Sequence, residues 1–213
     1  MPTASVERKE RVKALYRADI LDAALAVFSD DGYHESTMQQ IAERAGLAVG
    51  SLYNFFPSEE LLYAELVKRF AREYRAVLDE ALDNVDDDVE KVRSYIRIKG
   101  EFFRHNHRMA RLYFGETRGQ DFSLSVGMDA ESRHLFDEFR LRLARVFEAG
   151  MKTGVFERAD PFYCAVGLQS LTNAFIFLWL RDPARHPYDE RIDTIAALVL
   201  HGTVSRGGAH GEG

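Results

Sequence analysis

The sequence predicts an all-α protein. Three observations carry that prediction. Apolar residues recur at helical spacing through most of the 213 residues. Only five prolines interrupt them, and no run alternates apolar and polar residues in the manner of a half-buried strand. With 46% hydrophobic residues, the chain can bury a real core, as one large domain or two small ones. The opening "MPTASVERKERVKALYR" is polar, unlike a signal peptide. The longest apolar run, "AFIFLWL" at 174–180, is too short to cross a bilayer, so no membrane partner is expected. A single cysteine, Cys164, rules out an internal disulfide and suits a cytoplasmic location.

In chain order, residues 1–15 read as a flexible basic arm, and Arg8, Lys9, Arg11 and Lys13, followed by Arg17, concentrate positive charge at this end. This offsets, locally, a net charge of −6 that by itself neither supports nor excludes a polyanionic partner. From Tyr16 to Phe28, the residues Ile20, Ala24, Leu25, Val27 and Phe28 form a helical stripe, and Gly32 in "SDDGY" is placed for a left-handed cap. Thr37 followed by Gln40 matches a capping box for a second helix. After Pro57, Ser58 can cap a long helix through Leu61, Leu62, Leu66 and Phe70. The acidic joint "DNVDDD" follows, with Asp88 as the expected N-cap of the next helix. Further helices are expected at about 89–105, 107–115, 129–150, 160–181 and 189–205. "GETRGQDFSLSVG" at 115–127 reads as a loop, "RDPARHP" as a connector and 207–213 as a disordered tail.

The stretch "TMQQIAERAGLAVGSLYNFF", 37–56, is the most informative. Ile41, Ala45, Leu47, Leu52 and Phe55 can turn toward one core, and Ala42 is small enough for a close helix crossing. Gly46 can take the positive φ of a tight turn. A following helix from about Ala48 to Phe55 would be only two turns long and would need its neighbours to persist. Two short helices so joined make a helix-turn-helix, whose second helix enters the DNA major groove. Gln39 would point outward from the first turn of its helix, where a Gln can pair bidentately with adenine. Ser51 and Asn54 share a face of the second helix, and Gly50 allows close backbone approach.

The span "ADILDAALAVFSDDGYHESTMQQIAERAGLAVGSLYNFFPSEELLYAEL" closely resembles the DNA-binding domain of TetR/AcrR-type transcriptional regulators. The shared frame is "A…F…GY…T…IA..AG…G.LY..F.S.E.L". The resemblance is strong over 17–66 and looser beyond, where "EAGMKTGVFERADPFYCAVGLQSLTNAFIFLWL" is similar to the turn before the family's dimer helices. It implies a three-helix helix-turn-helix domain at 16–57, a connecting helix at 58–83, and a ligand-binding and dimerisation bundle at 84–206. It implies double-stranded DNA, a second copy of the chain and a small-molecule effector as partners, in a homodimeric, ligand-responsive regulator, expected to be a repressor. Thr37 matches the family's phosphate-holding helix start and Tyr53 its phosphate-contacting tyrosine. The expected DNA-binding set is therefore Thr37, Gln39, Gly50, Ser51, Tyr53 and Asn54. Where the family usually has Ser-Lys-Glu, this chain has Ser58, Glu59 and Glu60, which places a negative charge beside a phosphate.

A cavity in the bundle is also implied, and its expected lining is Phe102, Phe103, Tyr113, Val166, Gln169, Asn173 and Phe177. Gln169 and Asn173, four apart, can reach a common ligand, or satisfy one another or a buried backbone group. On another face of that helix Cys164, Gly167, Ser170, Leu171, Ala174 and Leu178 form a small-residue stripe suited to a partner chain. Glu101 and His105 are also four apart, with His107 and His134 elsewhere, but surface charge explains them better than a metal, and no metal or cofactor is expected. No glycine-rich phosphate loop, zinc signature or nucleophile elbow is present, so no catalytic residues are assigned. A helical enzyme or a protein-only adaptor is the alternative reading.

Overall fold

The computed structural model describes residues 4–116 and 130–200. Their elements are α1 (Ala4–Asp31), α2 (Met38–Arg44), α3 (Val49–Phe55), α4 (Glu59–Asp83), α5 (Asp88–His105), α6 (His107–Glu116), α7 (Ala130–Lys152), α8 (Pro161–Arg181) and α9 (Ile192–Leu200), with a 3-10 turn at Asp189–Arg191. No β-strand occurs among the described residues. The chain divides into two compact units, one of Met1–Phe70 with Arg108–Gly119, the other of Ala71–His107 with Gln120–Gly213. The division falls within α4 rather than at its ends.

In the first unit, Ile20, Ala24, Val27 and Phe28 of α1 are buried as the helical stripe requires, while Leu25 is half-buried. Phe28, Tyr33 and Tyr63 form an aromatic trio with ring centroids 4.9–6.4 Å apart, joining α1, the turn after it and α4. Arg69 adds an ion pair to Asp22 at 2.8 Å. α1 begins at Ala4, so most of the segment expected as a flexible arm is helical. The physical reason is local: no glycine or proline interrupts residues 4–31, and Glu, Arg, Lys, Ala and Leu are strong helix formers.

In the second unit, Val92, Tyr95, Ile96 and Phe103 of α5 pack with Phe139, Leu143 and Phe147 of α7, Leu168 and Ile176 of α8, and Ile195 and Ala196 of α9, all buried. An ion ladder runs from α4 to α7: Arg75 to Asp79 at 2.6 Å and to Glu138 at 3.6 Å, and Arg142 to Asp79 and Asp83. α8 is long and apolar enough, by length and composition alone, to cross a membrane. Its Ala165, Leu168, Thr172, Asn173, Ile176 and Leu180 are buried within the unit. Asp160 caps its start by accepting from Phe162 N and Tyr163 N at 2.9 and 3.4 Å.

Two local expectations are corrected. Asp87, not Asp88, caps α5: its backbone is extended and its carboxylate accepts from Glu90 N at 2.8 Å, which makes Asp88 the first helical residue, close to Lys91 at 3.0 Å. The helix expected over 189–205 opens as a 3-10 turn at Asp189–Arg191 before α9. Its last residues, like the tail 207–213 and all but the first two residues of the 115–127 loop, lie outside the described residues.

Candidate functional site

The turn between α2 and α3 is built from the backbone outward. Thr37 is extended and its hydroxyl oxygen accepts from Gln40 N at 3.3 Å. The hydroxyl donates in turn to Gln40 Oε1 at 2.8 Å, and Gln40 Nε2 reaches Asp31 Oδ2 at 3.4 Å. The capping role of Thr37 is thus filled within the chain. Gly46 takes φ +67°, the left-handed conformation that lets Leu47 N close onto Ala42 O at 2.9 Å. Ile41, Ala42 and Leu52 are fully buried beneath this turn. Phe56 is buried with them, whereas Phe55, the aromatic expected in the core, is half-buried against Tyr16, with ring centroids 6.1 Å apart.

With Leu52 and Phe56 turned inward, the opposite face of α3 is left to solvent. Gly50 and Asn54 are exposed, Tyr53 is 48% exposed and Ser51 is half-exposed. Thr37 and Gln39 are exposed at the start of α2. A Cβ added at Gly50 would meet nothing within 4 Å, so packing inside this chain does not require glycine there. All six expected DNA-binding residues therefore lie on the accessible surface of one short motif.

The end of α3 is held by a residue assigned from sequence to the basic arm. Arg17 Nη1 donates to Phe55 O at 3.1 Å, and its guanidinium carbon lies 4.3 Å from the centroid of the Phe56 ring. A cation here satisfies one of the carbonyls that a helix C-terminus leaves unpaired and complements its dipole. At the start of α4, Ser58 Oγ accepts from Leu61 N at 3.3 Å. Partial burial, and then the neighbouring Glu60, raise the Glu59 pKa, while His34 pulls it down. A hydrogen bond from Ser58 holds Glu60 below its ordinary value.

In the second unit, the side chains of Gln169 and Asn173 are bonded to different helices. Gln169 Oε1 accepts from Arg140 Nε of α7 at 2.9 Å, and Asn173 Oδ1 accepts from Lys99 Nζ of α5 at 2.7 Å. Lys99 was not singled out in the sequence, yet it is 1% exposed and sits at the centre of a polar cluster. Burial holds its pKa well below the ordinary lysine value. The signal was present: Val92, Ile96, Lys99 and Phe103 follow helical spacing, which sets the lysine on a core stripe. Phe102 and Phe103 are buried against Tyr74, with centroids 5.2 and 5.5 Å from its ring. Val166 and Phe177 are half-buried on α8. Tyr113, expected with these residues, belongs to the first unit, buried beside Phe114. No group of three or more His, Cys, Asp or Glu side chains suited to a metal occurs among the described residues.

A helix-turn-helix with a polar outer face, in a chain that carries a separate helical bundle, defines a DNA-binding regulator. Residues 20–66 match the bacterial regulatory proteins of the tetR family, and residues 85–203 match the tetracyclin repressor-like C-terminal domain. The chain belongs to the TetR family of transcriptional regulators, with a DNA-binding N-terminal domain and a ligand-binding C-terminal domain. Similar proteins include the uncharacterized HTH-type transcriptional regulator YhgD of Bacillus subtilis, 28% identical over 183 residues that span 84% of this chain and 90% of that one. The transcriptional regulator RutR of Escherichia coli is 29% identical over 154 residues, 72% of this chain and 70% of that one. Among solved structures, a transcriptional regulator from Saccharomonospora viridis in complex with choline superposes with a TM-score of 0.74 at 19% identity, covering 91% of this chain and 100% of that one, which shows a shared fold.

Proposed function

We propose that the protein is a homodimeric cytoplasmic repressor that binds a palindromic operator and responds to a small, largely apolar effector. The observation that carries the DNA-binding assignment is the accessible set Thr37, Gln39, Gly50, Ser51, Tyr53 and Asn54 on a motif whose apolar face is closed by Leu52 and Phe56. Tyr53 and Thr37 position the motif on phosphates, and Gln39, Ser51 and Asn54 read base edges. Supporting the dimer, Tyr163, Leu178 and Leu198 are 70%, 38% and 57% exposed on α8 and α9, beside the exposed Gly167 and Ser170. An apolar surface of this kind, continued by the half-buried Leu171 and Ala174, suits an isologous contact with a second copy. Two recognition helices related by a twofold axis then read two half-sites. The effector acts by binding better to a state whose half-site spacing no longer fits the operator.

Selection of binding sites from random DNA tests this reading, with sedimentation of the protein alone and on the selected site. An enriched palindrome bound by two protomers is expected. A monomer at micromolar concentration that enriches no motif refutes it. Ala174→Arg is expected to dissociate the dimer, and an unchanged mass would move the interface elsewhere.

A further inference from the structure

Lys99 is an unusual residue to bury. Its ammonium is bonded to Thr172 Oγ1 and Asn173 Oδ1 at 2.7 Å each, to Tyr95 Oη at 3.1 Å and to Gln169 O at 3.4 Å. All four acceptors are neutral. They satisfy the hydrogens of the ammonium, whose Nζ also lies 5.3 Å from the centroid of the Tyr95 ring, and no carboxylate is bonded to it among the described residues. A second cation, Arg140, reaches the same helix through Gln169 Oε1, and its own acid, Asp137, is 65% exposed. An unpaired charge taken out of water is strongly disfavoured, and an apolar side chain of similar length would hold these helices more cheaply. A buried ammonium framed by dipoles and backed by a guanidinium is, however, what the recognition of an anion requires.

The surroundings indicate what the anion is attached to. Tyr95 stacks on Phe139 with centroids 5.9 Å apart and planes at 21°, and its hydroxyl is hydrogen-bonded to Tyr74. Tyr74 and Phe139, with Ala71, Arg75, Leu78 and Phe136, line an apolar hollow of about 10 Å³. That hollow admits roughly one water-sized body, so any larger occupant requires it to widen. Tyr95 therefore stands between an aromatic wall and a buried cation. Resting on the reading of this unit as an effector domain, we propose that Lys99 anchors the carboxylate of a monoanionic effector whose apolar body lies against Tyr74, Phe136 and Phe139. Tyr95, Thr172 and Asn173 are positioning residues that hold the ammonium in place before the acid arrives.

The experiment compares a carboxylate with its neutral isostere on the full-length protein. Calorimetry is run with 2-naphthoate against 2-naphthamide and with decanoate against decanamide, on wild type and on Lys99→Met, with near-ultraviolet circular dichroism to verify packing. At least one acid should bind wild type about tenfold or more tighter than its amide, and Lys99→Met should abolish that preference while retaining amide binding. Amides that bind as tightly as the acids overturn the anchor but leave an effector site standing. Binding of none of the four overturns the anchor, and DNA binding unmoved by any compound of a wider library then also overturns the effector reading. Should Lys99→Met fail to fold, the acid-to-amide ratio on wild type and on Lys99→Arg decides alone: a preference kept by both supports the anchor, and no preference in wild type overturns it.

Discussion

Arg17→Ala separates two uses of one cation. As part of a basic arm, Arg17 would neutralise a DNA phosphate. In the structure its Nη1 is 3.1 Å from Phe55 O and its guanidinium stacks 4.3 Å from the Phe56 ring centroid. α3 has only seven residues, too few to persist without such support. A hydrogen bond from a charged donor contributes about 1.5–3 kcal/mol and a partly exposed cation–π contact about 0.5–1 kcal/mol. The two share one side chain and do not add fully, so the expected loss is about 2 kcal/mol. For a chain of this size that corresponds to a fall of about 4–8 °C in Tm. DNA affinity should fall only by the fraction of molecules in which the end of α3 has come loose. The slope of log affinity against log salt should stay at its wild-type value, because no phosphate contact is lost. Thermal melting and fluorescence anisotropy at four salt concentrations measure both quantities, and amide exchange at Leu52–Phe56 reports the helix end directly. An unchanged Tm together with a slope reduced by about 0.9 would show that Arg17 serves the DNA and that its contacts with Phe55 and Phe56 carry no weight.

Gln39→Ala should change the motif recovered by site selection, reducing discrimination at one position by about 1–3 kcal/mol, whereas Tyr53→Phe should weaken all sequences alike; identical motifs from wild type and Gln39→Ala would remove Gln39 from the base-reading set. Glu59→Lys should steepen the salt slope by about 0.9 with a small loss of Tm, since an acid leaves a helix start; an unchanged slope would turn residue 59 away from the DNA. Gly100→Ala should destabilise the second unit despite its better helix propensity, because the new Cβ would collide with Tyr188 Cε1, and that ring is buried and tied by its hydroxyl to Ile96 O at 3.0 Å. Overpacking of this kind costs about 1–3 kcal/mol, and a neutral or stabilised variant in urea titration would refute the contact. Lys99 gives stability a pH slope of definite sign. Its folded pKa lies below the ordinary 10.5, so between those two values the unfolded chain holds more protons and stability rises with pH. Tyr74, Tyr95 and Tyr188, with pKa values raised by burial, act in the opposite sense only near and above about pH 10. Urea titrations on the alkaline side, up to about pH 10, should show the rise in wild type and lose it in Lys99→Met; parallel curves would mean that Lys99 keeps its proton up to that pH.

What could be read from the sequence follows the range of the interactions involved. The cap of Thr37 on Gln40, the left-handed Gly46 and the inward Leu52 are settled within a few residues, and each is found where the spacing puts it. The outward face of α3 follows from them, because a two-turn helix with one buried side has the other to present. Arg17 was misread because its partner, Phe55, is 38 residues away, and an arginine among basic neighbours looks the same whether it meets a phosphate or a helix end. Gln169 and Asn173 stand out in the sequence as polar residues on an apolar helix, and four-residue spacing allows a common ligand, a bond to one another or a bond to a buried backbone group. The structure gives their side chains different partners, Gln169 to Arg140 at 29 residues' distance and Asn173 to Lys99 at 74, while Lys99 also reaches the Gln169 carbonyl. Neither separation can be inferred from one chain without knowing how α5, α7 and α8 assemble. Lys99 differs from these, since the stripe Val92–Ile96–Lys99–Phe103 assigns it to the core from sequence alone. A lysine on a core stripe contradicts the simplest rule of burial, and such contradictions concentrate where a protein keeps strain for use. The same residue that helical periodicity marks as misplaced is the one around which the bundle gathers a phenol, a hydroxyl, an amide and a carbonyl. That convergence makes the interior of the second unit, rather than its surface histidines, the place to look for the signal that this regulator senses.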